Sequence, residues 1–218
     1  TRASASVRDW MPPSAILFID GSNFYHSLKQ SGRLPFDVQE FRKLFGQLSK
    51  HYDLKKIYYY DAVKNWEKDR EGYSKQQSFH ERLRKSRAGI KIRTRKLRYL
   101  ANITDEQIRD SANRVGIVDA CKNRLRQFLL DLKLIRLTKE KGIDVLLVVD
   151  AVEEARAKTA EAIILLSGDA DFVPAINLIK SHGLRTVNLH PYAGSSNELR
   201  ASCNEHILID FGEDGPML

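Results

Sequence analysis

A short apolar run that ends in a polar hexapeptide constrains the fold more than any other part of the chain. Residues 162–166 read Ala-Ile-Ile-Leu-Leu, residues 167–172 read Ser-Gly-Asp-Ala-Asp-Phe, and a helical pattern starts near Phe172. This order is typical of a buried parallel strand in an α/β fold. Functional groups of such folds collect where the strands end. Asp169 and Asp171 are expected there, although turns and helix caps also favour aspartate.

A second apolar run, residues 15–19, is followed by Asp20-Gly21-Ser22-Asn23. Asp20 therefore follows its strand as Asp169 follows the other, and parallel strands end at one edge of a sheet. Asp144 lies in the first turn of a predicted helix over 143–158, where the helix dipole alone would favour it. Four carboxylates at one edge repel each other unless a cation neutralises them.

Mg²⁺ or Mn²⁺ suits such a site, because both prefer hard oxygen ligands. The expected ligands are four carboxylates: Asp20, Asp144, Asp169 and Asp171. The chemistry that follows is metal-assisted attack of water on a phosphodiester. Asn23 is expected to orient the water or a ligand carboxylate, which completes the candidate catalytic set.

The rest of the pattern alternates strands with helices, which implies βαβ units and a mainly parallel sheet. Further strands are predicted at 54–63, 90–100, 133–138, 186–189 and 206–210. Further helices are predicted at 23–30, 37–49, 66–87 and 194–203. Thr104 to Gln107 matches a capping box, and we interpret residues 101–132 as a helical insertion broken at Gly116.

The charge of the chain favours a polyanionic partner. Lys and Arg number 36 against 28 Asp and Glu, which gives a net charge of +8. Lys91, Arg93 and Arg95 alternate along a predicted strand and so share one face. Basic residues also discourage pairing at an exposed sheet edge, which is the alternative explanation. The predicted nucleic-acid contacts are Lys91, Arg93, Arg95, Arg84 and Arg87.

Cellular setting and chain ends are the least constrained features. Only two cysteines occur, which suits a reducing compartment and predicts a cytoplasmic protein. No apolar run approaches the roughly 20 residues that span a bilayer, so no membrane is expected. Residues 1–14 are interpreted as a flexible leader and residues 212–218 as a tail. A homodimer is left open.

The three aspartate motifs together resemble those of NYN domains, a branch of the PIN-like nucleases. They are Asp20-Gly21-Ser22-Asn23, Lys141-Gly142-Ile143-Asp144 and Ser167-Gly168-Asp169-Ala170-Asp171-Phe172. The resemblance covers residues 15–211 and implies a three-layer α/β/α sandwich that cleaves RNA, usually single-stranded, with a metal held by the four aspartates. It also implies that Asn23 lies beside them. The helical insertion departs from the pattern and leaves substrate shape and oligomeric state open.

Other interpretations compete with this one. Asp169-Ala170-Asp171 also resembles the nucleophile motif of haloacid-dehalogenase-like phosphatases, but that family places the motif near its start. A non-catalytic RNA-binding or scaffold module on the same fold is the stronger alternative. An inactive module would be expected to lose at least one of the four metal-binding carboxylates, and none is missing here. Asp61 is interpreted as peripheral to the site. Asp150, six residues after Asp144 on one helix, is expected to face away from it and to be either structural or a support for the metal ligands.

Overall fold

The sheet has seven strands in the described part of the chain, and β1, β2, β4, β5 and β6 among them pair in parallel. A computed structural model describes residues 11–98, 103–132, 134, 142–212 and 215–218. The strand order is β3-β2-β1-β4-β5-β6-β7, with β7 antiparallel to β6. The strands are β1 (Ser14–Asp20), β2 (Asp53–Val63), β3 (Ile90–Lys96), β4 (Ala162–Leu166), β5 (Arg185–Pro191), β6 (Glu205–Gly212) and β7 (Gly215–Met217).

Eight α-helices accompany these strands in the described part of the chain. They are α1 (Gly21–Gln30), α2 (Val38–Leu48), α3 (Arg70–Ser86), α4 (Asp105–Arg114), α5 (Asp119–Asp131), α6 (Ile143–Ala157), α7 (Val173–Ser181) and α8 (Asn197–Ser202). Asp20 and Asp37 cap α1 and α2 with their side chains, because each carboxylate accepts a backbone N–H of the first turn. The predicted start of α2 is therefore confirmed.

Alternation of side chains along β1 builds an apolar layer on each face of the sheet. Leu17 and Ile19 pack in the layer that α1, α2 and α3 cover. Ile16 and Phe18 pack in the opposite layer, which α6, α7 and α8 cover. Each fully buried side chain of this size contributes about 1.5–3 kcal/mol. The predicted α/β fold with helices on both faces of a mainly parallel sheet is confirmed.

The chain divides into two compact units. One comprises residues up to Arg95 together with Gly142–Leu218, and the other comprises Lys96–Lys141. The second unit contains α4 and α5, and Thr104 and Gln107 form the reciprocal capping box that the sequence predicts. Gly116 has φ of +73° in the turn between these helices, a conformation that favours glycine. The helical insertion is thus a structural unit of its own.

Some element boundaries differ from the sequence predictions. Strand β3 ends at Lys96 instead of residue 100, and the strand predicted at 133–138 lies outside the described residues except for residue 134. Helix α3 begins at Arg70 instead of residue 66, because Asp69 accepts the N–H of Gly72 and caps the helix there. Residues 212–218, interpreted as a tail, include β7. No helix within the described residues has both the length and the apolar character needed to span a bilayer.

Candidate active site

Side chains from β1 and β4 join the two strands where both end. Ser167 Oγ donates to Asp20 Oδ2 at 3.0 Å, and the N–H of Gly168 donates to Asn23 Oδ1 at 2.8 Å. Asp20 Oδ1 also accepts the N–H of Asn23. Asp20 is 5% exposed and Ser167 is 1% exposed, so these contacts are shielded from water and define the geometry. Asp20 and Asn23 thus lie directly beside the loop that carries Asp169.

The loop after β4 is fixed by its own aspartate and by a neighbouring loop. Asp169 Oδ1 accepts the N–H of Asp171 at 2.9 Å and so begins a 3-10 turn at Ala170–Phe172. Asp169 therefore caps this turn, a role that its place in the sequence also allowed. A Cβ atom on Gly168 would lie 1.8 Å from the carbonyl oxygen of Gly194, so only glycine fits there. The loop after β5 consequently lies against the Asp169 loop.

Helix α6 brings Asp144 to the same edge. Tyr60 donates its hydroxyl to Asp150 Oδ2 at 2.8 Å, and Tyr58 donates to Glu154 Oε1 at 2.5 Å. These two buried contacts fix the register of α6 against β2. Asp144 lies one and two-thirds turns before Asp150, which displaces it by about 9 Å toward the end of β2.

The carboxylates of Asp144, Asp169 and Asp171 form no ion pair with a basic side chain among the described residues. Partial burial, and then the negative charges of Asp169 and Asp171, raise the pKa of Asp144 above its usual range. No ion pair within the described ranges involves any of these three residues. In the same part of the chain, the carboxylate of Asp144 accepts no hydrogen bond. Asp144 is therefore close enough to Asp169 and Asp171 to be repelled by them, and no described basic side chain forms an ion pair with the three.

The donor set fits a hard divalent cation in chemistry, because it contains only carboxylate and amide oxygens. Across the described residues, no three His, Cys, Asp or Glu side chains are grouped closely enough to hold a metal ion as they stand. Asp144 and Asp171 are exposed and can change rotamer, whereas Asp20 is fixed by its hydrogen bonds. Binding of a cation would therefore need movement of the exposed carboxylates toward Asp20.

Comparison with known proteins assigns the chain to a family. Two overlapping segments, residues 14–124 and 98–210, match the profile of the NYN domain. The chain belongs to the NYN domain family. This family is part of the PIN-like nuclease superfamily, so the resemblance of the three aspartate motifs to NYN domains is confirmed. The NYN assignment establishes a nuclease-like fold.

Two proteins similar to this NYN domain have no established function. The uncharacterized protein y4oD of Sinorhizobium fredii is 34% identical over 61 residues, which is 27% of this chain and 28% of that protein. The chain thus matches little more than a quarter of that relative's length. A crystal structure of a protein of unknown function from Vibrio parahaemolyticus has a TM-score of 0.60 at 19% identity. It covers 94% of this chain and 97% of that one, and shows a shared fold.

Two of the basic residues predicted to contact nucleic acid are engaged inside the NYN domain. Arg93 donates two hydrogen bonds to Asp150, at 2.7 and 2.9 Å, and Arg87 donates to Ser49 and to the carbonyl of Leu54. Lys91 lies against the ring of Tyr58, with its Nζ 5.3 Å from the ring centroid. The exposed residues Arg84 and Arg95 complete the set. RNA contact by these five residues stays a prediction.

Asp150 and Asp61 have structural partners. Asp150 is buried between Tyr60 and Arg93, which confirms its predicted structural role. Asp61 accepts from Gln76 and pairs with the buried ring of His80.

A buried amide that was not among the predicted site residues supports the site. Asn188 on β5 donates to the carbonyls of Leu165 and Ser167 and so holds the start of the Asp169 loop. An asparagine inside the strand predicted at 186–189 was the available signal, because an amide that becomes buried needs hydrogen-bond partners.

Proposed function

We propose that this NYN domain is a metal-dependent ribonuclease that hydrolyses phosphodiester bonds of single-stranded RNA. The observation that supports it best lies near the carboxyl ends of β1 and β4, where the negative charges of Asp169 and Asp171 add to partial burial and raise the pKa of Asp144. Asp20, Asp144, Asp169 and Asp171 would hold Mg²⁺ or Mn²⁺. A bound divalent cation supplies a water of lowered pKa and neutralises charge on the phosphate. The net charge of +8 favours a polyanionic substrate.

The residues of the chain divide this work among them. Asp20 is rigid, because Ser167 and the backbone of Asn23 donate to its two oxygens. The side-chain oxygen Oδ1 of Asn23 accepts the N–H of Gly168. The two N–H groups of the same side chain have no partner in the described part of the chain. We assign them to orienting a water molecule or a phosphate oxygen.

The test is cleavage of labelled single-stranded RNA, duplex RNA and DNA with Mn²⁺, Mg²⁺ or chelator. Asp144→Asn is the most informative variant, because this exposed side chain makes no hydrogen bond to the described residues and its replacement should leave the fold intact. It should abolish cleavage, and so should Asp169→Asn, which keeps the oxygen that caps the following turn. Glu153→Gln removes an exposed carboxylate from the same helix and should cleave like the wild type.

The outcomes separate this proposal from its main alternative. Cleavage of single-stranded RNA by the wild type and by Glu153→Gln, but by neither aspartate variant, supports the nuclease. Equal cleavage by Asp144→Asn and the wild type would identify a contaminant. Binding of RNA without cleavage under any metal condition would favour a non-catalytic RNA-binding module.

A further inference from the structure

Three aromatic side chains are exposed on segments that follow the carboxyl ends of strands. Tyr25, Trp66 and Tyr192 are 51%, 46% and 87% exposed. Tyr25 lies on α1 after β1, Trp66 follows β2 closely, and Tyr192 follows β5 directly. The strand order is β2-β1-β4-β5, and the aspartates Asp20 and Asp169 follow β1 and β4. Trp66 and Tyr192 therefore come from opposite flanks of the aspartates.

The ring of Trp66 is held in place while it stays exposed. The guanidinium carbon of Arg70 lies 4.5 Å from the centroid of the indole, and the ring of Tyr73 meets it edge-on at 5.6 Å. The loop that carries Trp66 is itself anchored, because the N–H of Lys64 donates to Gln76 at 3.0 Å. An aromatic ring that is fixed before binding loses little conformational entropy when a partner stacks on it.

The loop that carries Tyr192 is tied to the candidate active site. The N–H of Ser196 donates to the carbonyl of Gly168 at 2.9 Å, and Gly194 lies directly against Gly168. Arg200 donates to the carbonyl and hydroxyl of Ser195 and thereby braces the same loop. The segment after Tyr192 is thus bonded to the residue that precedes Asp169.

We propose that Trp66 and Tyr192 are stacking platforms for unpaired bases on the two sides of the aspartates. The inference rests on the proposed function and adds the residues that select an unpaired strand. A single exposed aromatic residue is ordinary on protein surfaces. The ring of Trp66 differs, because it is fixed in place and carries the guanidinium of Arg70. Beside an acidic edge, and in a chain with a net charge of +8, such a ring favours a nucleic acid as its binding partner. Unpaired bases present the faces that stack on aromatic side chains, and a duplex hides them.

The fluorescence of Trp66 reports stacking directly. The chain has two tryptophans, so Trp10→Phe leaves Trp66 as the one fluorophore of this kind. This variant is titrated in chelator, which prevents metal-dependent cleavage, with an unpaired oligouridylate and with an abasic oligonucleotide of equal length. The oligouridylate should quench the fluorescence and the abasic strand should not. Equal quenching by both strands, or quenching by neither, would overturn the proposal.

Affinity for the oligouridylate supplies a second test with matched variants. Trp66→Ala and Tyr192→Ala should each weaken binding about 5- to 150-fold, since each removes one stacked base. Trp66→Phe keeps a ring and should retain most of the affinity, which separates stacking from loss of the fold. Leu178→Ala, which truncates a side chain on α7 that is also 46% exposed, should bind like the wild type. Unchanged affinity in Trp66→Ala would refute the platform at Trp66.

The two proposals fail in different ways. Quenching by the oligouridylate without cleavage in any metal would contradict the proposed nuclease activity and would still support base stacking on Trp66. Cleavage by Trp66→Ala at wild-type efficiency, with no quenching in Trp10→Phe, would contradict base stacking on Trp66 and would still support the proposed nuclease activity. Binding of the abasic strand as tightly as the oligouridylate would show that backbone phosphates provide the affinity.

Discussion

The hydrogen bond between Tyr60 and Asp150 should contribute measurably to stability, and Tyr60→Phe tests it. Tyr60 is 1% exposed and Asp150 is 9% exposed, so the contact is shielded from water. Burial, and then the hydrogen bond to Asp150, raise the pKa of Tyr60, which keeps the hydroxyl neutral and able to donate. Tyr60→Phe removes this donor and leaves Asp150 with Arg93 alone.

The magnitude follows from the charge on the acceptor. Hydrogen bonds to charged groups contribute about 1.5–3 kcal/mol, and those that Arg93 donates to Asp150 persist in the variant. Tyr60→Phe should therefore lower the free energy of unfolding by about 1.5–3 kcal/mol, which corresponds to roughly 3–12 °C in a chain of this size. Denaturant melts followed by circular dichroism measure the change.

A matched control and a functional readout complete this experiment. Tyr192→Phe removes a hydroxyl from a side chain that is 87% exposed and should unfold like the wild type. Tyr60→Phe should also slow cleavage, because α6 carries Asp144 and loses one of its two contacts with the tyrosines of β2. A free energy of unfolding for Tyr60→Phe within about 0.5 kcal/mol of the wild-type value would refute the predicted contribution of the hydrogen bond.

Three further predictions concern neighbouring groups. Gly168→Ala should destabilise the fold by at least about 1–3 kcal/mol in denaturant melts, because backbone must move, whereas Gly46→Ala in open space on α2 should be neutral or stabilising. Burial raises the pKa of Glu154, but hydrogen bonds from Lys56, Thr159 and Tyr58 outweigh it and hold the pKa below its usual range. Glu154→Gln should therefore cost stability at pH 7, and its difference from the wild type should shrink as pH falls below about 4.3. Asp169→Asn should melt at or above the wild type in chelator, while Mn²⁺ should raise the melting temperature of the wild type alone.

Local patterns were enough to predict much of the fold. Apolar runs at 15–19 and 162–166 became adjacent parallel strands, with Ile19 beside Leu166. Helix α2 begins where the sequence predicts, with Asp37 as its cap, and Thr104 caps α4 as predicted. Such caps are predictable because a side chain that satisfies the unpaired N–H groups of a helix acts within one helical turn. The common edge of Asp20 and Asp169 followed from strand direction alone.

Contacts between distant segments could not be predicted in the same way. Nothing near Arg93 in the sequence indicates that Asp150 will accept from it, so the basic stripe of β3 looked more available to RNA than it is. The two contacts of α6 with β2 do correspond to a pattern in the sequence. Asp150 and Glu154 are four apart on a helix and Tyr58 and Tyr60 are two apart on a strand, so each pair shares a face. Recognising their match requires knowing that α6 packs on β2.

Because the helical unit is one continuous segment of the chain, the four aspartates and Asn23 come from the two chain segments that flank it. Asp20 and Asn23 precede Lys96–Lys141, whereas Asp144, Asp169 and Asp171 follow it. A protease that cut between α4 and α5 would produce two fragments, each with an incomplete set of carboxylates. The parallel pairing of β1 with β4 would be the central seam along which such fragments could reassociate. The domain is thereby suited to fragment complementation, in which recovery of the proposed RNA cleavage would report that two separately made fragments have associated.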